Sequence, residues 1–303
     1  MIELSILRLK YGDETVLNLM KFFRIITLVL IMCMMSLMGV LSARVYIYTA
    51  NNQYDLGTVK AVGGRVNMLI MATDKHTKTL TDTILFASIN TKTNKISVIS
   101  IPRDTRVNIN GRNAKINSAY GGNNHQRAIE KVTEIIGLPV NYYAVISPDI
   151  FKNIVDVLGG VSINVPDRMY YVDPYQDLYI DLYPGPQILD GAKAEQFCRF
   201  RSHPLGDVYR VKNQQMFIEE LFKQKLNAAN IDKIDDIYTE VISSVKTNID
   251  VTDLTSLMSV LKAMTGDSME TYLLPGVPSS TSSDYIHDQE ATNTLVNEIL
   301  VSR

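Results

Sequence analysis

Residues 83–105 read TILFASINTKTNKISVISIPRDT, and the fold class turns on this stretch. TILFASI (83–89) and ISVISI (96–101) are short apolar runs rich in β-branched residues, bounded by polar and turn-forming positions, and both read as strands. VNMLIMA (66–72) comes before them; NYYAVIS (141–147) and VSINV (161–165) come after. Between these lie segments with helical periodicity, HQRAIEKVTEIIG (125–137), with Gly137 as its stop, and DIFKNIVDVLGG (149–160). Strands alternating with helices predict an α/β chain with a central mixed β-sheet and helices on both faces. The rest of the chain is mostly helical. One helix is expected over 189–201 behind the N-cap Asp190, and another over 208–226 behind Asp207. Two more are expected near 231–245 and 251–265. A strand at 270–276, a Ser/Thr-rich loop at 278–283 and a last helix over roughly 288–301 complete the reading.

Working outward to the N-terminus, residues 25–43, IITLVLIMCMMSLMGVLSA, form 19 consecutive uncharged positions. As a helix they span roughly 28 Å at ~1.5 Å per residue, close to the ~30 Å hydrocarbon core of a bilayer. Arg8, Lys10, Lys21 and Arg24 precede the run and only Arg44 follows it closely. The expected organisation is a cytoplasmic segment 1–24, a transmembrane helix 25–43, a stalk 44–65 and an extracytoplasmic domain 66–303. That is a single-pass protein of the cell membrane. The chain has 303 residues, 46% hydrophobic, enough to bury a sizeable core. Its net charge of −2 and lack of a basic stripe argue against nucleic acid as a partner. Cys33 falls in the span and Cys198 outside it, so they are not expected to pair.

Common catalytic signatures are missing: there is no GxSxG, P-loop, GxGxxG or HExxH, and His76, His125, His203 and His287 lack ligand spacing. What remains is a set of carboxylates and cations. Asp74 ends one strand and Asp82 begins the next. If those strands pair as a hairpin, both carboxylates lie at one end of the sheet, either as a Mg²⁺ site or as ordinary turn residues. Arg103 and Asp104 follow the strand ISVISI, at the carboxyl end where open α/β sheets bind ligands. Arg199 and Arg201 of RFR would face one way in extended chain and clamp an anion. Arg210 and Gln214 share a helical face with Phe217 and Leu221, so the pair is expected to point inward and to need an anionic partner. Together these residues suggest a phosphate or pyrophosphate site.

The same residues carry a family resemblance. NMLIMATD, TDTILFASINTKTNKISVISIPRDT, KIN (115–117), AYGG (119–122), LGGVSINVP (158–166), YPGPQILDGAKAEQFCRFR and GDVYRVKNQQ, in this order over about 66–222, resemble the LytR–CpsA–Psr family. The resemblance implies an α/β core carrying an apolar tunnel for a prenyl chain, behind a single N-terminal anchor. It implies a phosphotransferase that moves a glycopolymer (teichoic acid, capsular or related polysaccharide) from a polyprenyl-pyrophosphate carrier to peptidoglycan, with pyrophosphatase side activity and Mg²⁺ or Mn²⁺ as cofactor. Carried over, Asp74 and Asp82 match the metal aspartates and Arg103 the arginine near pyrophosphate. Arg199, Arg201, Arg210 and Gln214 match substrate-binding positions, with Lys115 a further phosphate contact. Asp82 or Asp104 would assist proton removal.

Three departures stand out. Leu80 occupies a position that is usually arginine, Asn213 another, and the loop between RFR and GD is one residue short. Lys75, Lys78 or Arg112 are nearby cations able to substitute. The alternative the departures raise is a non-catalytic polyprenyl-phosphate or glycan binder that regulates wall synthesis.

Overall fold

The computed structural model describes residues 64–74, 79–203, 207–225, 245–250, 253 and 264–301. The expected cytoplasmic segment, transmembrane helix and stalk (apart from Gly64 and Arg65) lie outside the described residues, as do nearly all of the expected helices at 231–245 and 251–265. Among the described residues no helix is long and apolar enough to cross a membrane.

The strands that open the domain are β1 (Arg65–Thr73), β2 (Thr81–Asn90) and β3 (Lys95–Ile101). They form an antiparallel meander at the centre of a six-stranded sheet. A short hairpin follows, β4 (Arg106–Ile109) and β5 (Arg112–Lys115). A 3-10 segment, Ile116–Asn123, leads to helix α1 (His125–Ile136). Strand β6 (Tyr142–Ile146) returns parallel to β1, and helix α2 (Pro148–Val157) leaves from it. Next come β7 (Val161–Val165), β8 (Met169–Asp173), β9 (Leu178–Leu182) and β10 (Gly185–Leu189), paired β7–β10 and β8–β9 in two small antiparallel sheets. Helices α3 (Gly191–Arg199) and α4 (Asp207–Lys225) follow. Strand β11 (Lys246–Thr247) pairs antiparallel with β6. Strand β12 (Met269–Leu273) lies parallel to β3. A hairpin of β13 (Gly276–Pro278) and β14 (Tyr285–His287) precedes α5 (Gln289–Val296), which a π-helical turn extends to Val301. The main sheet order is β11-β6-β1-β2-β3-β12, so the sheet is mixed, with β2 and β11 running against the other four.

The alternation of side chains along the central strands explains why helices cover both faces. Ile84 and Phe86 of β2, with Ile99 and Ile101 of β3, join a core with Ile129, Val132 and Ile136 of α1 and Val296 of α5. The intervening residues, Leu85, Ala87 and Ile89 of β2 with Ile96 and Val98 of β3, face the other way and pack with Phe222 of α4. A strand buried on both faces reads as a near-continuous apolar run, which is why TILFASI lacks polar alternation. A third cluster holds Val155 of α2, Ala194 and Phe197 of α3, the inner faces of β7–β10, and Phe217 of α4. Helix α4 therefore bridges the sheet and the smaller cluster.

Local chemistry sets the helix limits. Gly137 ends α1 at φ 75, a left-handed conformation natural to glycine, and its N–H bonds the Thr133 carbonyl. Ser147 caps α2, with Pro148 in its first turn, and Asp190 caps α3 through the Lys193 N–H at 2.8 Å. Gly191 marks the closest helix approach. A Cβ there would lie 2.4 Å from the Lys152 carbonyl oxygen of α2, and the Gly191 N–H donates to Asp156 at 2.7 Å. Because the obstacle is backbone, Gly191→Ala must push α3 away from α2. It is expected to lower unfolding stability by about 1–3 kcal/mol, read by urea titration of the full-length chain.

Candidate functional site

The carboxyl ends of β1, β3, β6 and β12 and the start of β2 all meet at one end of the sheet. Two irregularities shape that end. In the β1–β2 ladder Ala72 pairs with Thr83 but Thr73 pairs with Thr81, so Asp82 is the extra residue of a bulge. A bulge re-aims the side chain it carries, and here it brings Asp82 to the guanidinium of Arg103, Nη1 to Oδ1 at 2.6 Å. The second irregularity is the turn Pro102-Arg103-Asp104-Thr105. Thr105 is fully buried, and both its N–H (2.9 Å) and its hydroxyl (2.6 Å) donate to the Pro102 carbonyl. The turn is held from outside by backbone bonds from Asn117 N to Arg103 O (3.1 Å), Ile116 N to Thr105 O (2.8 Å) and Tyr285 N to Asp104 O (2.8 Å). The KIN segment therefore acts in part as backbone support. Lys115 pairs with Asp104 at 2.8 Å.

Helix α4 brings the next cation. Gln215 Nε2 reaches Ser100 Oγ of β3 at 3.4 Å, and Gln214 Nε2 donates to the Cys198 carbonyl of α3 at 3.1 Å. These contacts seat the first turns of α4 between the sheet end and α3. Arg210 is only 5% exposed and pairs with Asp207, one turn earlier, at 2.8 Å. Burial lowers the Arg210 pKa, with Asp207 opposing that shift and Arg103 adding to it; Asp82 and Arg201 also act on it. At Arg103 burial pulls the same way, but the hydrogen bond and charge of Asp82, with Asp207 and Asp104, outweigh it and hold the pKa above its ordinary value. Arg103, Arg201 and Arg210 thus share one electrostatic neighbourhood with Asp82, Asp104 and Asp207. Among the described residues, the Nε atoms of Arg103 and Arg210 are both buried with no hydrogen-bond partner, as is Nδ2 of Asn213. Buried donors normally have partners, and three orphans, two of them on guanidinium groups, leave unmet demand for an acceptor.

Of the residues singled out from sequence, Asp82, Arg103, Asp104, Lys115, Arg201 and Arg210 belong to this cluster. Asp74 follows the last residue of β1 at the same sheet end, its N–H bonded to the Leu80 carbonyl at 3.0 Å. Gln214 serves the α3–α4 junction. Arg199 differs from expectation. It is the last residue of α3 rather than part of an extended run, and it binds Glu195 at 2.9 Å. The extended conformation begins at Phe200, which is buried, so the two arginines do not form the same-side clamp read from their spacing. Asp207, read as a helix cap, is the first residue of α4 and the partner of Arg210. Their i,i+3 spacing was the available signal. Among the described residues no group of three or more His, Cys, Asp or Glu is placed to hold a metal ion.

The fold and site define a mixed α/β protein with a partly buried arginine–aspartate cluster at the end of its sheet. Comparison makes the class specific: the LytR_cpsA_psr family profile matches residues 40–300, and the chain belongs to that family. Two relatives from Bacillus subtilis (strain 168) carry the name polyisoprenyl-teichoic acid--peptidoglycan teichoic acid transferase. The chain is 28% identical to TagV over 229 residues, 72% of this chain and 58% of that protein. It is 28% identical to TagU over 240 residues, covering 77% and 76%. The match to TagV thus spans less than two thirds of that protein's own length. The crystal structure of B. subtilis TagV superposes with a TM-score of 0.65 at 24% identity, covering 77% of this chain and 96% of that one. The B. subtilis TagU structure gives 0.57 at 26% identity, covering 78% and 95%.

A cluster of this kind has a thermodynamic signature if it binds an anion. Asp207→Asn leaves the Arg210 charge without its counter-ion. The variant is expected to lose about 1–3 kcal/mol of stability, discounted from a fully buried pair because Asp207 is partly exposed. Added inorganic pyrophosphate should then raise its Tm more than it raises that of the wild type. Equal stability and equal responses in thermal melts of the two proteins would contradict the assignment.

Proposed function

We propose that this protein is a membrane-anchored phosphotransferase that moves a glycopolymer from a polyprenyl-pyrophosphate carrier to peptidoglycan. The observation that carries the reading is the pair of arginines, Arg103 and Arg210, whose buried Nε donors have no partner among the described residues. A pyrophosphate presents the acceptor oxygens these donors lack. The names of the relatives point to the same class of polymer, carrier and acceptor. In this reading the apolar run 25–43 is the anchor, residues 1–24 are cytoplasmic and the domain works outside the cell.

The chemistry follows from the charges. A hydroxyl of the acceptor glycan attacks the phosphorus bonded to the glycopolymer. An O–P bond forms, the bridging P–O bond breaks and polyprenyl phosphate leaves. Arg103 and Arg210, with Arg201 at the rim, bind the pyrophosphate oxygens and neutralise charge that grows in the transition state. Asp104, tied to Lys115, or Asp82, tied to Arg103, takes the hydroxyl proton. Water in place of the sugar hydroxyl gives the pyrophosphatase side reaction. Asp74 and Asp82 are the residues that would hold Mg²⁺ or Mn²⁺. Their carboxylate oxygens are the hard donors such an ion prefers. Bound there, it would supply further positive charge beside the pyrophosphate.

Full-length protein in detergent, incubated with Mg²⁺, a polyprenyl-pyrophosphate oligosaccharide and peptidoglycan fragments, should release polyprenyl phosphate and label the fragments. Asp82→Ala and Arg103→Ala should each lower turnover by about 10²–10³-fold, the scale of losing one preorganised charge-stabilising group. A second reading, a lipid-binding regulator without turnover, is favoured by Leu80 and by Asn213, a buried amide, at positions where the family resemblance leads one to expect arginines. Tight lipid binding with no release, and turnover that appears only in Leu80→Arg, would replace the first reading with the second.

A further inference from the structure

Five of the eight exposed large hydrophobic residues among the described residues fall within 170–183: Tyr170, Val172, Tyr175, Tyr179 and Tyr183. The β8–β9 register explains the arrangement. Tyr170 pairs with Asp181 and Val172 with Tyr179, so these four share the outer face of the hairpin. The inner face, Met169, Ile180 and Leu182, is at most 1% exposed and belongs to the α2–α3 core. A hairpin buried on one face ordinarily turns polar residues outward. This one turns out Tyr170 and Tyr179, each 56% exposed, with Tyr183 at 66%.

The rings are pre-set. The Arg168 guanidinium lies 4.1 Å from the Tyr183 ring centroid and 5.4 Å from that of Tyr170. Its Nη1 donates to the Met169 and Leu182 carbonyls, each at 2.9 Å, and its Nη2 pairs with Asp181. Tyr179 meets Tyr170 edge to face at 6.4 Å and donates its hydroxyl to Asp181 at 3.1 Å. The hairpin is fixed to α3 by a bond from Asp181 N to Gln196 Oε1 at 3.0 Å.

We propose that this outer face, built on Tyr170, Tyr179, Tyr183, Arg168 and Asp181, is a binding platform for a carbohydrate chain, a β-linked N-acetylhexosamine strand. The apolar C–H faces of sugar rings stack on tyrosine faces, while a fixed Arg–Asp pair offers donors and acceptors to hydroxyl and acetamido groups. Rigid aromatic rings lose little freedom on binding. The charge balance selects this occupant. Arg168 is already neutralised by Asp181, and Asp173 and Asp177 add negative charge at the hairpin tip, so the face suits a neutral ligand and is repelled by an anionic lipid surface. The choice of an N-acetylhexosamine chain rests on the peptidoglycan-acceptor reading above; the platform itself does not.

The test is calorimetric titration of the full-length protein in detergent with a soluble β-linked N-acetylglucosamine oligomer. Binding should be weakened about five- to tenfold by Tyr170→Ala and by Tyr183→Ala, a change readily resolved on the affinity scale, and retained by Tyr183→Phe, which keeps the ring. Matched melting curves establish that these exposed substitutions leave the fold intact. Release of polyprenyl phosphate by hydrolysis should be unchanged in all three variants, while transfer to wall fragments falls with glycan affinity. No oligomer binding by the wild type, equal binding by wild type and alanine variants, or tyrosine-dependent binding of phosphatidylglycerol vesicles instead would overturn the proposal. If hydrolysis and transfer are absent but tyrosine-dependent oligomer binding persists, the phosphotransferase reading falls and the platform stands.

Discussion

A buried guanidinium is the constraint on which the site depends. Arg210 sits at 5% exposure with Asp207 as its ion partner and with Nε unsatisfied. Removing such a charge from water is costly, and one partly exposed carboxylate offsets it incompletely. Arg103 and Arg201 act on the same neighbourhood, so the cost grows with each cation added. In the proposed reading, a bound pyrophosphate is what offsets that cost. The three aspartates beside it keep the protein near local neutrality, and Arg103 and Arg210 are held in place by Asp82 and Asp207, contacts they would share with or yield to phosphate.

The scaffold converts that constraint into geometry. The strands β1, β2 and β3 carry two apolar faces, which places the meander at the middle of three layers and exposes only its ends. The bulge at Asp82 and the tight turn through Thr105 bring one carboxylate and one guanidinium to a separation of 2.6 Å. Helix α4 is locked to β3 through Gln215 and to α3 through Gln214, which holds Arg210 within the electrostatic reach of Arg103 and Asp82. The close contact at Gly191 seats α3 on α2, and the β8–β9 hairpin rides on α3 through Gln196. Packing in the smaller cluster thereby connects the outer tyrosine face to α3, whose last turn meets α4 through Gln214.

Much of this was legible in the sequence. The apolar runs of β1, β2, β3 and β6, the stop at Gly137 and the cap at Asp190 follow from local rules, and the order of motifs pointed to the family. The polar cluster was legible as far as strand ends and helix faces reveal it: Asp82, Arg103 and Arg210 are found where those patterns put them. What was not legible depends on tertiary contact. The same-side clamp of Arg199 and Arg201 assumed extended chain, whereas the helix runs on to Arg199 and gives it Glu195 as a partner. Asp207 read as a cap because spacing alone does not reveal that Arg210 is buried. The hairpins β4–β5, β8–β9 and β13–β14 are short and carry polar or tyrosine-rich strands, so their periodicity is weak beside that of the central sheet.

The most direct measurement of the central claim is a crystal structure of the protein with a short-chain prenyl pyrophosphate. The account predicts pyrophosphate oxygens at hydrogen-bond distance, about 2.7–2.9 Å for charge-assisted bonds, from the guanidinium groups of Arg103 and Arg210, with their Nε donors now satisfied. A pyrophosphate bound elsewhere, with the Arg103–Asp82 and Arg210–Asp207 pairs undisturbed and both Nε atoms still unpartnered, would contradict it.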